Sequence, residues 1–260
     1  MSGAILPLYH MRRLSIRRIC CCILAYMSAR TLLRHLRSLS NTANVQGMRR
    51  FGIQGDKMLG IPIPVLRAIA KQTGRNHELA AALWKSGLHE ARILAAYIDD
   101  PRRVTKKQMD SWVRDFDSWD VCDQVCGNLF DRTPYGFTKA KEWIKYRQEY
   151  VRRAGFVMMA ALAVHDKTTD DAMFAAFLPA IEYYAFDERN FVKKAVNWAL
   201  RQIGKRNASL RTKAVACARR IHRQDAASAR WIASDALREL QRPAVIRMVR
   251  RRSVLGQAPL

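Results

Sequence analysis

Acidic residues are scarce in this chain: 22 Asp and Glu stand against 46 Lys and Arg, a net charge of +24 over 260 residues. Other things are missing too. Strand-like alternation persists nowhere, which excludes a β-sheet architecture. The apolar run Ile19–Tyr26 is too short to span a bilayer. The six cysteines are Cys20, Cys21 and Cys22 in a row, Cys122 and Cys126 one helical turn apart, and Cys217 alone. None of these spacings makes a zinc site or a disulfide framework, so no metal is expected and the thiols read as reduced. No Ser/His/Asp arrangement and no Gly-rich phosphate loop is present, and no cofactor is called for.

The charge is partly terminal. Residues 1–26 hold four Arg and no acid, and residues 241–260 hold five Arg and no acid, which leaves about +15 on residues 27–240. With 49% apolar residues the chain is not wholly disordered. A folded body that basic points to a polyanionic partner, because each cation that neutralises a phosphate releases condensed counterions. Residues 1–26 mimic a secretory leader in charge and length. The preferred reading is a start at Met27, since Ser28 onward reads as a capped amphipathic helix and the rest looks cytosolic. Residues 1–26 are therefore set aside from the fold, 27–240 are taken as the helical domain and 241–260 as a basic tail. A cytoplasmic monomer without stable membrane association is expected.

Helix-period patterns recur over 29–39, 43–51, 63–73, 77–86, 88–98, 105–116, 119–131, 138–146, 149–165, 170–184, 188–205, 208–221 and 226–240. Short breaks such as Gly60–Pro64, Asp99–Pro101 and Thr133–Gly136 separate them and imply antiparallel neighbours. Tyr150-Val151-Arg152-Arg153-Ala154 and Phe191-Val192-Lys193-Lys194-Ala195 share one pattern, 41 residues apart. That period matches HEAT and armadillo helix pairs, so the fold expected is all-α, an α-solenoid with a concave, basic face. A basic pair at a helix start reads either as a solvated terminus or as phosphate contacts; the unfavourable position against the helix dipole favours phosphate.

Two segments could carry chemistry. In Ser118-Trp119-Asp120-Val121-Cys122-Asp123, Ser118 is a good N-cap, and Trp119 and Asp123 fall one turn apart, about 40° around the helix. This pair is either a core Trp beside a capping Asp or a site. In the segment from Phe191 to Arg201, Lys194, Trp198 and Arg201 share a face. That Trp either sits in the core with its two cations snorkelling outward, or lies in a groove that meets a sugar-phosphate chain.

These segments resemble the AlkD-type DNA glycosylases, the DNA alkylation repair proteins built from HEAT-like helix pairs. The resemblance runs from about residue 30 to about residue 225. Ser118–Asp123 is similar to the family's segment with catalytic Trp and Asp four apart. Val151-Arg152-Arg153-Ala154 resembles the segment whose second basic residue, here Arg153, holds the DNA backbone beside the lesion. Phe191–Arg201 resembles the segment with the other active-site Trp, here Trp198. Met48-Arg49-Arg50-Phe51 and Leu59-Gly60-Ile61-Pro62 resemble the region where an aromatic, here Phe51, packs on DNA. Residues 1–26 and the tail have no counterpart.

The resemblance implies catalysis by Asp123, Trp119 and Trp198, and DNA binding by Arg153, Arg152, Lys194, Arg201 and Phe51. The implied partner is double-stranded DNA containing alkylated bases. The chemistry is consistent: base–sugar hydrolysis passes through an oxocarbenium-like sugar, and an N3- or N7-alkylated purine is already cationic and leaves without a general acid. One carboxylate then suffices. The rival expectation is a non-catalytic HEAT-like module that binds damaged or branched DNA or a protein partner.

Overall fold

A computed structural model of the chain describes residues 28–255. Within them the regular structure is helical, and the chain divides into two compact units that meet in sequence at Asp100 and Pro101.

The first unit holds α1 (Ala29–Ser38), α2 (Thr42–Arg50), α3 (Ile63–Thr73), α4 (His77–Lys85) and α5 (His89–Ile98). Short polar side chains start several of these helices by accepting an otherwise orphaned amide proton. Ser28 Oγ takes Thr31 N–H at 3.2 Å, Asn41 Oδ1 takes Asn44 N–H at 3.0 Å and Asn76 Oδ1 takes Leu79 N–H at 2.9 Å. α5 packs on α3 and α4. The loop after α2 folds back on that helix: Gly60 sits at φ +76°, and a Cβ there would come within 2.3 Å of the Asn41 carbonyl oxygen. Only glycine fits that approach.

The second unit begins with α6 (Lys106–Arg114) and α7 (Trp119–Asn128), then a 3₁₀ turn at Phe130–Arg132, α8 (Gly136–Trp143) and α9 (Glu149–His165). It continues with α10 (Asp171–Ala175), α11 (Leu178–Tyr183), a 3₁₀ turn at Tyr184–Phe186, α12 (Asn190–Gly204), α13 (Ala208–Ile221), α14 (Ala227–Leu240) and α15 (Pro243–Leu255). Helices α7, α9, α12 and α14 pack side by side in that order as one layer. A second layer, with α8 on α9 and α13 on both α12 and α14, covers its back. α9 is apolar almost all round, and its residues from Arg153 to Ala163 are buried, as a helix walled in on several sides must be. Close approach to α8 depends on Gly155, where a Cβ would lie 2.7 Å from Ile144 N and 3.0 Å from Ala140 O.

Three segments differ from the sequence reading. The helix expected over 170–184 is two short helices, because Pro179 in the first turn of α11 lacks an amide proton and its ring crowds the preceding turn. The α-helix expected to run to 131 stops at Asn128; the 3₁₀ turn that follows seats Phe130 between Trp112 and Trp143, with ring centroids 6.3 and 5.7 Å away. Much of the basic tail is helical: Pro243 opens α15, and Val249, 1% exposed, anchors it. The extension 1–26 lies outside the described residues. Among the described residues no helix is long and apolar enough to cross a membrane, and no group of three or more His, Cys, Asp or Glu could hold a metal ion.

Candidate nucleic-acid interface

α7 presents Asp123 to the open side of its layer. Ser118 stands at the N-cap position with φ −148° and ψ 148°, yet its hydroxyl does not cap the helix as expected; it donates to the Asp120 carboxylate. Trp119, half-buried, begins the helix one turn before Asp123. Behind them Cys122 and Cys126 face α9, with sulfur atoms 3.9 Å from the Tyr150 carbonyl oxygen and 4.0 Å from that of Ala154. These two thiols and that of Cys217 are free and buried, while Cys20, Cys21 and Cys22 lie outside the described residues.

Arg153 on α9 is the nearest charge to Asp123. Its Nε donates to Oδ1 at 3.0 Å and its Nη2 to Oδ2 at 2.8 Å, a bidentate pair. Nη1 donates to the Phe191 carbonyl oxygen of α12 at 2.6 Å. The guanidinium thereby ties three helices of the layer together. The side chain of Arg153 is 6% exposed and that of Asp123 18%. This differs from the expectation for Arg153: its fork closes on a carboxylate of the chain and is not held open for a phosphate. Burial pushes the Asp123 carboxyl above its ordinary value, and the charge and hydrogen bonds of Arg153 oppose that push in part.

An open cleft of about 420 Å³ runs along α12 and α14, and Asp123 forms part of its wall together with Trp198, Lys194, Arg201 and Asn197 of α12. Trp231 and Asp235 of α14 complete it. Thus the expected carboxylate and one of the two expected indoles share a cleft, whereas Trp119 is not in its wall. The cations of the set behave differently from one another. Lys194 is exposed. Arg201 is engaged by Glu239 at 2.5 Å and Asp235 at 3.5 Å. Arg152 lies away from the cleft: its Nη1 donates to Asp187 Oδ2 at 2.8 Å, its Nε to the Ile144 carbonyl oxygen at 3.0 Å, and its guanidinium lies 4.8 Å from the Tyr184 ring centroid. Phe51 caps the end of α2 in the first unit and is 77% exposed.

The sequence reading passed over Trp231, Asn197 and Asp235. A signal existed for two of them: Trp231 and Asp235 repeat the four-residue spacing of Trp119 and Asp123, again on a helix. Asn197 gave none, since its role depends on its partner: its Nδ2 donates to Asp235 Oδ2 at 2.7 Å.

A family model described as "DNA alkylation repair enzyme" matches residues 32–240. None of the curated proteins matches the chain. A solved structure described as "a new family of proteins related to the HEAT-like repeat DNA glycosylases with affinity for branched DNA structures" is 20% identical, with a TM-score of 0.68. The match covers 82% of this chain and 95% of that one, and it shows a shared HEAT-like fold.

Proposed function

The chain belongs to the DNA alkylation repair enzyme family, and on that premise we propose that it is a monofunctional glycosylase that hydrolyses the N-glycosidic bond of cationic N3- and N7-alkylated purines in duplex DNA. One observation carries the reading: the Asp123 carboxylate and the Trp198 indole share the wall of one open cleft that Lys194 borders. A carboxylate repels phosphate, so Asp123 adds nothing to direct contact with the DNA backbone. Beside a sugar that loses a cationic base, the same carboxylate meets developing positive charge.

The residues divide the work accordingly. Asp123 stabilises the oxocarbenium-like sugar and orients the attacking water. Trp198 offers a π-face to the same positive charge; Trp119, outside the cleft wall, is left without a direct role. Arg153 is a positioning residue: it fixes both carboxylate oxygens and favours the ionised form the chemistry needs. No general acid is required, because the alkylated purine departs neutral. The open cleft suits detection of a labile, cationic nucleotide better than reading of one base by its hydrogen-bonding edge.

Release of 7-methylguanine from duplex DNA by wild type and Asp123→Asn tests this. Loss of one charge at the reacting centre is expected to slow release by about 100-fold or more; equal rates would overturn the mechanism. A second reading takes support from the description of the solved structure, whose family has affinity for branched DNA. A wild type that releases no base, yet binds four-way junctions more tightly than linear duplex, establishes that reading instead.

A further inference from the structure

We propose that Trp231, with Lys193 across from it, forms a second subsite of the cleft, one that stacks on the nucleotide flanking the target regardless of its base. The proposal rests on the reading of the cleft as a DNA site and adds to it a contact on α14.

Trp231 is out of place as a core residue. On α14 the face packed inward is Ser228, Ala229, Ile232, Ala233, Ala236 and Leu240, all buried, whereas Trp231 is 42% exposed. It is equally unlike a stray surface aromatic, because it lines the same cleft as Asp123 and Trp198. Lys193 Nζ lies 5.7 Å from its ring centroid. A cation over an indole is a weak contact at an exposed site, so it does not by itself explain keeping a large apolar ring half in water.

The ring is held on a rigid support. One turn further along α14, Asp235 accepts from Asn197 Nδ2 at 2.7 Å and meets Arg201 Nη1 at 3.5 Å. Arg201 also pairs with Glu239 at 2.5 Å, and Lys205 Nζ donates to Glu239 at 2.6 Å. These bonds tie α14 to α12, so Trp231 and Trp198 keep their spacing without a ligand to order them. Pre-ordered aromatics beside a cation are what a strand-binding groove uses: stacking is sequence-tolerant because every base has a π-face, and the cation meets the backbone. The target sugar occupies the end of the cleft at Asp123 and Trp198. The ring surface of Trp231 that is open to the cleft then takes the adjoining nucleotide, and Lys193 meets its phosphate.

Binding of the full chain to a fluorescein-labelled duplex carrying one tetrahydrofuran abasic residue reads this directly, without turnover. Trp231→Ala is expected to weaken binding about fivefold or more, with Trp231→Phe close to wild type and Lys193→Met weaker and less salt-sensitive. Trp231→Leu guards against a folding artefact, since Leu keeps apolar volume but has no π-face. With helical circular dichroism retained, Leu is expected to bind like Ala. Binding by Leu equal to that by Phe would overturn the subsite. Base release by wild type is measured in parallel. Trp231-dependent binding without any release sinks the glycosylase reading and keeps the subsite; release with Trp231-indifferent binding does the reverse. Absence of DNA binding by wild type sinks both.

Discussion

Asp123 and Arg153, 30 residues apart, meet through two parallel hydrogen bonds of 3.0 and 2.8 Å, so a carboxylate that shares the cleft wall with Trp198 is oriented from a neighbouring helix. The pair sets a pH dependence. In the proposed mechanism Asp123 works as the carboxylate, so activity is expected to be lost as pH falls through its pKa. Burial raises that pKa and Arg153 restrains the rise, which places the acid limb of the wild-type profile above the ordinary carboxylate value of about 3.9. Arg153→Met removes the restraint, so the limb moves to higher pH, and the neutral-pH rate falls at least about tenfold. Single-turnover release measured across pH checks this. A slower variant with an unmoved limb would mean that Arg153 does not act through Asp123.

Lys194 and Arg201 were both expected to contact DNA, and their surroundings separate them. Lys194 is exposed, so Lys194→Gln is expected to reduce the slope of log K against log salt by about 1, the share of one phosphate contact. Arg201 is already matched by Glu239 and Asp235. Arg201→Gln is expected to leave that slope nearly unchanged and to lower thermal stability instead, since it removes the cation shared by Glu239 and Asp235 at the α12–α14 contact. Titrations at four or five salt concentrations distinguish the two outcomes. Equal slopes for both variants would mean that the ion pairs open when DNA binds.

The repeat explains why so much of the second unit could be read in advance. Val151 and Val192 are both buried, as are Ala154 and Ala195, and the Tyr150 and Phe191 rings lie 5.8 Å apart on adjacent helices. Apolar spacing is a local property, and it placed α9 and α12 correctly. The basic pairs inside the same repeat diverge. Arg152 and Arg153 turn inward to Asp187 and Asp123, while Lys193 lies over Trp231 and Lys194 stays exposed. What a cation does depends on partners 30 to 38 residues away, and spacing within one helix is blind to them. The split at Pro179 and the helix after Pro243 were legible by ordinary proline rules, and the long periodic runs around them masked both.

Glu90 holds the loop that follows Phe51, and its replacement should show how far that region depends on one carboxylate. Glu90 is 1% exposed, and its oxygens accept from the amides of Leu59 at 3.0 and 2.9 Å, Gly60 at 2.6 Å and Ile61 at 3.3 Å. The loop in turn holds the start of α2: Asn41 N–H donates to the Leu59 carbonyl oxygen at 2.7 Å, and Asn44 Nδ2 to that of Gly60 at 2.9 Å. Glu90→Ala strands three amide donors near the protein interior, at a cost of about 3 kcal/mol. Glu90→Gln keeps the volume but turns an NH₂ toward donors, and is expected to cost about 2 kcal/mol. Because the chain has two compact units, a single unfolding midpoint could blur the effect. Amide hydrogen exchange at Leu59, Gly60 and Ile61 reports it locally: exchange there is expected to accelerate by about two orders of magnitude in Glu90→Ala, while amides of α9 stay protected. Unchanged protection at those three amides would mean that the backbone of α2, and not Glu90, holds the loop.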